Sequence, residues 1–221
     1  MTEISRRDWI KRATAGSATI ALGMAELRWA LAADAVSKGV ARVSGDVRIG
    51  DVLAKPGMEV KPGDVVTTGR GAEAVFVVGQ DAFMARGGSR IELGGAGQAI
   101  VSGLRLVTGA LLSVFETGRP RRIQTATATI GIRGTGIYLE VQKARTYACT
   151  CYGEAELVPL DEPREAEVVR TAHHDQPRYI YSKGMPRMIE QAPVINHTDA
   201  ELILLESLVG RKVPFNPKSY P

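Results

Sequence analysis

Two cysteines separated by one residue, Cys149-Thr150-Cys151, are the residues of this chain best suited to chemistry. They lie in a run of strand-forming residues, and side chains alternate along a strand, so both sulfurs should point to the same face of a sheet. A disulfide between them would be strained and reducible, because residues two apart in an extended strand have Cα atoms about 6.5 Å apart with parallel Cβ vectors. The pair therefore predicts either such a disulfide or two thiolate ligands for a metal such as Zn or Cu.

The remaining ligands of such a site would come from the histidines, all three of which follow the cysteines in the chain. We predict a metal site formed by Cys149 and Cys151 with His173 and His174, and His197 is a further candidate. Adjacent histidines in a straight strand face opposite ways, so both could join one site only if a turn brings them round. The alternative is two small buried cysteines and ordinary surface histidines, since the spacing is not a standard zinc pattern.

The sequence contains no arrangement that predicts catalysis. It has no Ser/His/Asp order with a nucleophile elbow, and the charged, proline-containing run at 161–167 is typical of a solvated loop. The glycine-rich run at 130–136 superficially resembles a phosphate-binding loop, but strand-forming residues follow it where a helix should begin, so it predicts a bend or bulge between strands. These features predict a protein that is not an enzyme.

Composition argues against nucleic-acid binding. The net charge is only +4, and the aromatic residues, 5% of the chain, are not interleaved with basic ones.

The elements that would position the cysteines are short β-strands. Runs of Val, Ile and Thr, separated by Gly, Pro and Asp, extend from residue 40 to 181 and favour an all-β, solenoid-like or sandwich-like domain. We predict a hairpin of Val40–Val43 with Val47–Ile49 around the Ser44-Gly45-Asp46 turn. One helix is predicted at 199–209, because Thr198 and Glu201 form a capping box before an apolar stripe.

The first 33 residues predict an export signal. Ser5-Arg6-Arg7-Asp8-Trp9-Ile10-Lys11 matches a twin-arginine motif, and a short apolar segment and small residues suited to a signal peptidase follow it. The twin-arginine (Tat) export machinery is then a partner, the mature protein is periplasmic, and no segment serves as a transmembrane anchor. The mature chain would comprise a β domain at 39–181 and a C-terminal extension at 182–221.

Four motifs, in order, resemble the FecR family of periplasmic domains over residues 39–158. They are Gly45–Gly50 with Val60–Gly69, Ala72–Val78 with Ser89–Leu93, Thr108–Leu112, and the signature Thr129-Ile130-Gly131-Ile132-Arg133-Gly134-Thr135. The resemblance implies a twisted, solenoid-like β domain that, in the founding members, senses an outer-membrane receptor and relays its state to a sigma factor.

The chain departs from that family in two places. Family regulators carry a cytoplasmic anti-sigma segment and a transmembrane helix before the β domain, where this chain has the predicted signal. Gly136-Ile137 also stands where the family usually has an acidic and an aromatic residue. We therefore expect a freestanding, non-enzymatic binding or sensing module for an envelope protein or cell-wall ligand. The alternative is a periplasmic metal-binding or redox protein that uses Cys149 and Cys151 with His173 and His174.

Overall fold

A computed structural model describes residues 38–95 and 102–216, so the predicted export signal at 1–33 lies outside the described residues. The strands are β1 Gly39–Ser44, β2 Val47–Ile49, β3 Val52–Leu53, β4 Val65–Thr68, β5 Glu73–Val78, β6 Asp81–Ala85, β7 Arg90–Leu93, β8 Gly103–Val114, β9 Pro120–Gln124, β10 Ala128–Val141, β11 Arg145–Pro159, β12 Glu167–Thr171, β13 Arg178–Tyr181 and β14 Ile189–Gln191. A 3₁₀ turn covers Pro163–Glu165, and the helix α1 covers Asp199–Leu208.

The predicted all-β class is confirmed, and the sheet is open and sandwich-like. The main path of neighbouring strands is β14-β13-β11-β10-β9-β8-β7-β4-β2-β3, with β12 beside β11 and with β1, β5 and β6 branching from β8. The pairings are antiparallel except for β8 with β9. The predicted hairpin of the first two strands is wrong, because β1 pairs with β5 whereas β2 pairs with β3 and β4.

The longest strands change partners along their length. Residues 129–133 of β10 pair with β9, whereas residues 136–141 pair with β8, and the register with β11 shifts between Arg133 and Gly136. Gly134 lies at this shift with φ +58°, where a Cβ atom would come within 2.8 Å of the Thr117 Cα. A side chain there would be strained and crowded. The glycine-rich run at 130–136 is therefore an irregularity inside one continuous strand, β10, and not the predicted connection between two strands.

The core is a continuous apolar cluster contributed by almost every strand. Phe83 stacks on Phe76 and meets Phe115 edge to face, with ring centroids 5.1 and 5.7 Å away. Each fully buried large apolar side chain contributes about 1.5–3 kcal/mol, so this core stabilises the sheet to which β11 belongs. None of the described helices has the length and hydropathy required to traverse a lipid bilayer.

The C-terminal segment packs on the sheet through α1. The helix begins with the predicted capping box, in which the Thr198 amide donates to Glu201 at 2.9 Å. Leu202 and Leu205 are fully buried. Arg86, which directly follows β6, forms an ion pair of 2.5 Å with Glu201 of the helix. These contacts fix the residues at the start of the helix relative to the strands.

Candidate metal centre

Cys149 and Cys151 lie on β11, are fully buried, and are free thiols. The ladder between β10 and β11 is irregular at this point, since Ile137 pairs with Thr150 but Gly136 pairs with Tyr152. Cys151 is therefore the extra residue of a β-bulge, and bulges re-aim side chains and free backbone groups for other partners. The bulge thus lies at the two cysteines themselves, next to the histidines.

His174 lies in the loop between β12 and β13 and is bound to the bulge. Its amide donates to the Cys151 carbonyl at 3.0 Å, and its Nδ1 lies 3.5 Å from the Cys149 Sγ. Its backbone is left-handed, with φ +49°. This conformation costs a non-glycine residue of the order of 1 kcal/mol or more, and such strain clusters at functional sites.

His197 approaches the same sulfurs from the segment between β14 and α1. It follows Asn196, the second non-glycine residue with positive φ (+59°) in the described chain. The His197 ring stacks on Tyr138 at 4.7 Å, and Tyr138 pairs with Cys149 across the sheet. Its Nε2 lies 2.9 Å from the His174 Nδ1, so two loops with strained backbones place two imidazoles against one thiol pair.

The four side chains form a compact donor set. Cys149, Cys151, His174 and His197 each offer one ligand atom, and these atoms lie within 4.8 Å of one another. Tetrahedral Zn²⁺ with its usual bond lengths separates neighbouring ligand atoms by about 3.3–3.8 Å. The nitrogen pair at 2.9 Å and the sulfur–nitrogen pair at 3.5 Å are within a few tenths of an ångström of that requirement.

The hydrogen bonds on the outer sides of both rings assign their protons. The His174 Nε2 lies 3.1 Å from Asp199 Oδ1, and the His197 Nδ1 lies 2.6 Å from the Ile195 carbonyl oxygen. Both partners are acceptors, so each outer nitrogen carries a hydrogen, and in the neutral form of both rings each inner nitrogen has a lone pair. In that form two lone pairs would face each other at 2.9 Å, an arrangement that either a proton on one inner nitrogen or a cation between the rings would stabilise.

The thiols are unequal. The hydrogen bond with Cys151 lowers the pKa of Cys149 to about 4, against the opposing effect of burial and with help from His174 and His197. Burial raises the pKa of Cys151. Burial lowers the pKa of His174, but its contacts with Cys149 and Asp199 outweigh burial and raise it. Because metals bind thiolate and neutral imidazole, a metal at this site would displace a proton from the donor set.

His173 lies in a second layer, next to the donor set. Its Nε2 is 2.7 Å from Asp199 Oδ1, and its ring meets that of His174 edge to face at 4.5 Å and Phe215 at 4.2 Å. Because the backbone of His174 is left-handed, the rings of His173 and His174 both reach Asp199. The chain thus turns at this point, which is the condition under which two adjacent histidines can face one site.

Of the four predicted ligands, Cys149, Cys151 and His174 come together. His197, the further candidate, joins them, whereas His173 groups with His174 and Asp199. Asp199 was missed, and its position next to the helix cap was the available signal.

A groove on another part of the sheet is lined by none of the four donor residues. It measures about 960 Å³ on a face formed by strands β7 to β12. Exposed arginines from four strands line it, together with acidic residues: Arg105, Arg122, Arg133, Arg170, Glu154 and Glu156.

Comparison with known proteins gives only a distant likeness in fold. No protein-family profile matches the chain, and no curated protein matches it. The chain resembles two crystal structures from Parabacteroides distasonis, each described as "a putative anti-sigma factor". Each shares 9% sequence identity with it, with a TM-score of 0.47. The first likeness covers 57% of this chain and 59% of that one, and the second covers 66% and 73%. The chain thus spans less than two thirds of the first structure's length.

Proposed function

We propose that this protein binds a metal ion through Cys149, Cys151, His174 and His197. The observation that carries the proposal is the donor set itself, with four ligand atoms within 4.8 Å of one another, two of them sulfurs of fully buried cysteines. The alternative interpretation of the sequence was ordinary surface histidines and inert buried cysteines. That interpretation does not explain why two left-handed residues, His174 and Asn196, bring the imidazole rings to the sulfurs.

The donor set favours zinc. Two thiolates and two imidazoles suit tetrahedral Zn²⁺, and a set completed by protein ligands is typical of structural or regulatory zinc sites, whereas catalytic zinc keeps one position for water or substrate. Cu(I) is the second metal that soft sulfur ligands select. The closed, buried set also supports a non-enzymatic role.

A direct metal assay tests this proposal. Protein purified without a histidine tag should contain about one Zn²⁺ per chain, and its Co²⁺-substituted form should show thiolate-to-metal charge transfer and the intense visible bands of tetrahedral cobalt. The Cys149→Ser/Cys151→Ser double variant is the control that should lose both signals. A wild-type chain that takes up neither Zn²⁺, Co²⁺ nor Cu(I) on reconstitution would rule the proposal out.

We also propose, as a second function, a FecR-like binding module that works in the periplasm and recognises an envelope protein or cell-wall ligand. The observation in its favour is the charged groove, in which Arg122 and Arg133 are exposed on neighbouring strands. Exposed positive charge on a sheet face favours a partner that presents acidic groups.

The groove predicts a charge-dependent partner. Cross-linking in periplasmic extract should give a specific adduct that disappears in the Arg122→Glu/Arg133→Glu variant, because reversing two charges replaces attraction by repulsion. The variant Lys38→Glu/Lys55→Glu, which reverses two charges away from the groove lining, serves as the control. Identical adducts from all three proteins, or none from any, would argue against recognition through this groove.

A further inference from the structure

We propose that Asp199, together with His173, is a positioning residue that fixes the tautomer and orientation of His174 so that its Nδ1 faces the metal. This inference rests on the proposed metal-binding function. It assigns a role to the two residues at the rim of the donor set, and it connects the metal site to helix α1.

One carboxylate oxygen lies between the two adjacent rings. Asp199 Oδ1 is 2.7 Å from the His173 Nε2 and 3.1 Å from the His174 Nε2. An ionised carboxylate only accepts hydrogen bonds, so it selects the His174 tautomer with the hydrogen on Nε2. In the other tautomer, the Nε2 lone pair would oppose the carboxylate and a hydrogen would occupy the position of the metal. Carboxylates in this outer position commonly orient metal-binding histidines.

Asp199 is held at its position by the fold. It is the first residue of α1, where the positive end of the helix dipole favours a carboxylate. The helix is anchored by the buried Leu202 and by the ion pair of Glu201 with Arg86. The carboxylate is therefore positioned by contacts that do not involve the donor set.

His173 restricts Asp199 from the other side. The His173 side chain is 5% exposed, its amide donates to Asp175 Oδ1 at 3.0 Å, and its ring packs on Phe215. A buried ring with a fixed backbone holds the shared oxygen in one place. The orientation of His174 then depends on where α1 docks, so displacement of the helix would weaken metal binding.

Substitution of Asp199 tests the proposal. Asp199→Ala should weaken Zn²⁺ binding by about 10–100-fold, the usual effect of removing an outer-shell partner. Asp199→Asn, which keeps one acceptor oxygen, should recover part of this loss. Ile203→Ala, at a solvent-exposed position of the same helix, is the matched control: it should change Zn²⁺ affinity less than about threefold, since this side chain belongs neither to the donor set nor to the contacts that anchor α1. Affinities are measured by competition with a chromophoric chelator.

A second readout separates positioning from general stability. Long-range ¹H–¹⁵N NMR of the metal-free protein should show His174 with its hydrogen on Nε2 in the wild type and a mixture of tautomers in Asp199→Ala. Unchanged Zn²⁺ affinity and an unchanged tautomer in Asp199→Ala would overturn the inference. Loss of a second equivalent of metal in that variant would also overturn it, because His173, His174 and Asp199 would then bind an ion themselves.

The two proposals can fail independently. If the wild type binds no metal, the proposed function fails, whereas the NMR experiment on the metal-free protein still reports whether Asp199 sets the His174 tautomer. If the wild type binds metal and Asp199→Ala binds it equally well with the same tautomer, only the positioning role fails.

Discussion

Replacing His197 by alanine is expected to weaken Zn²⁺ binding by more than about 100-fold, beyond the upper end of the range for outer-shell residues. The reason is geometric: the His197 Nε2 lies 2.9 Å from the His174 Nδ1 inside the donor set, so its loss leaves one coordination position to water. A 100-fold loss corresponds to about 2.7 kcal/mol of binding free energy. Competition titration against a chelator measures it.

His173→Gln is the matched control, because His173 was one of the two histidine ligands expected from sequence. It should reduce affinity by no more than about tenfold, since His173 lies outside the set of four donor atoms and its Nε2 contacts Asp199. His197→Cys should restore tight binding by supplying a third thiolate. The assignment of the fourth ligand would be reversed if His173→Gln lost binding and His197→Ala kept it. Circular dichroism of each metal-free variant checks that the fold is retained.

The sequence predicted the fold class and the sulfur pair for physical reasons that are local. Alternation along a strand is enough to place Cys149 and Cys151 on one face, and glycines in a strand-rich run are enough to predict an irregularity near Gly134. The capping box at Thr198 and Glu201 predicted where α1 begins. Each of these inferences depends on residues within a few positions of one another.

The parts that sequence did not provide depend on long-range contacts. The choice of His197 over His173 follows from the left-handed backbone of His174 and from the docking of α1, and neither has a local signature. The predicted strand pairing was wrong for a similar reason. A glycine turn at Gly45 predicts a hairpin of β1 with β2, but β1 pairs with the longer, buried β5. The bulge at Cys151 likewise arises from pairing with β10.

A second large effect is expected at the buried ion pair of Asp81 and Arg121, which lies outside the donor set. Their side chains are only 1% and 3% exposed, and the Arg121 Nε donates to Asp81 at 3.0 Å. Asp81 also accepts from the Glu116 amide at 2.8 Å. Asp81→Ala should lower the free energy of unfolding by about 3–5 kcal/mol, because it leaves a guanidinium buried without its partner. Urea denaturation measures the loss.

The exposed pair of Glu92 with Arg90 provides the comparison. Glu92→Ala should cost less than about 1 kcal/mol, since solvent screens this pair. Burial raises the pKa of Asp81 despite its partners, which indicates that desolvation outweighs the attraction within the buried pair. Replacing both groups by apolar residues, in Asp81→Leu/Arg121→Met, should therefore be less destabilising than Asp81→Ala alone. If Asp81→Ala were as mild as Glu92→Ala, the buried pair would contribute no more than a surface one.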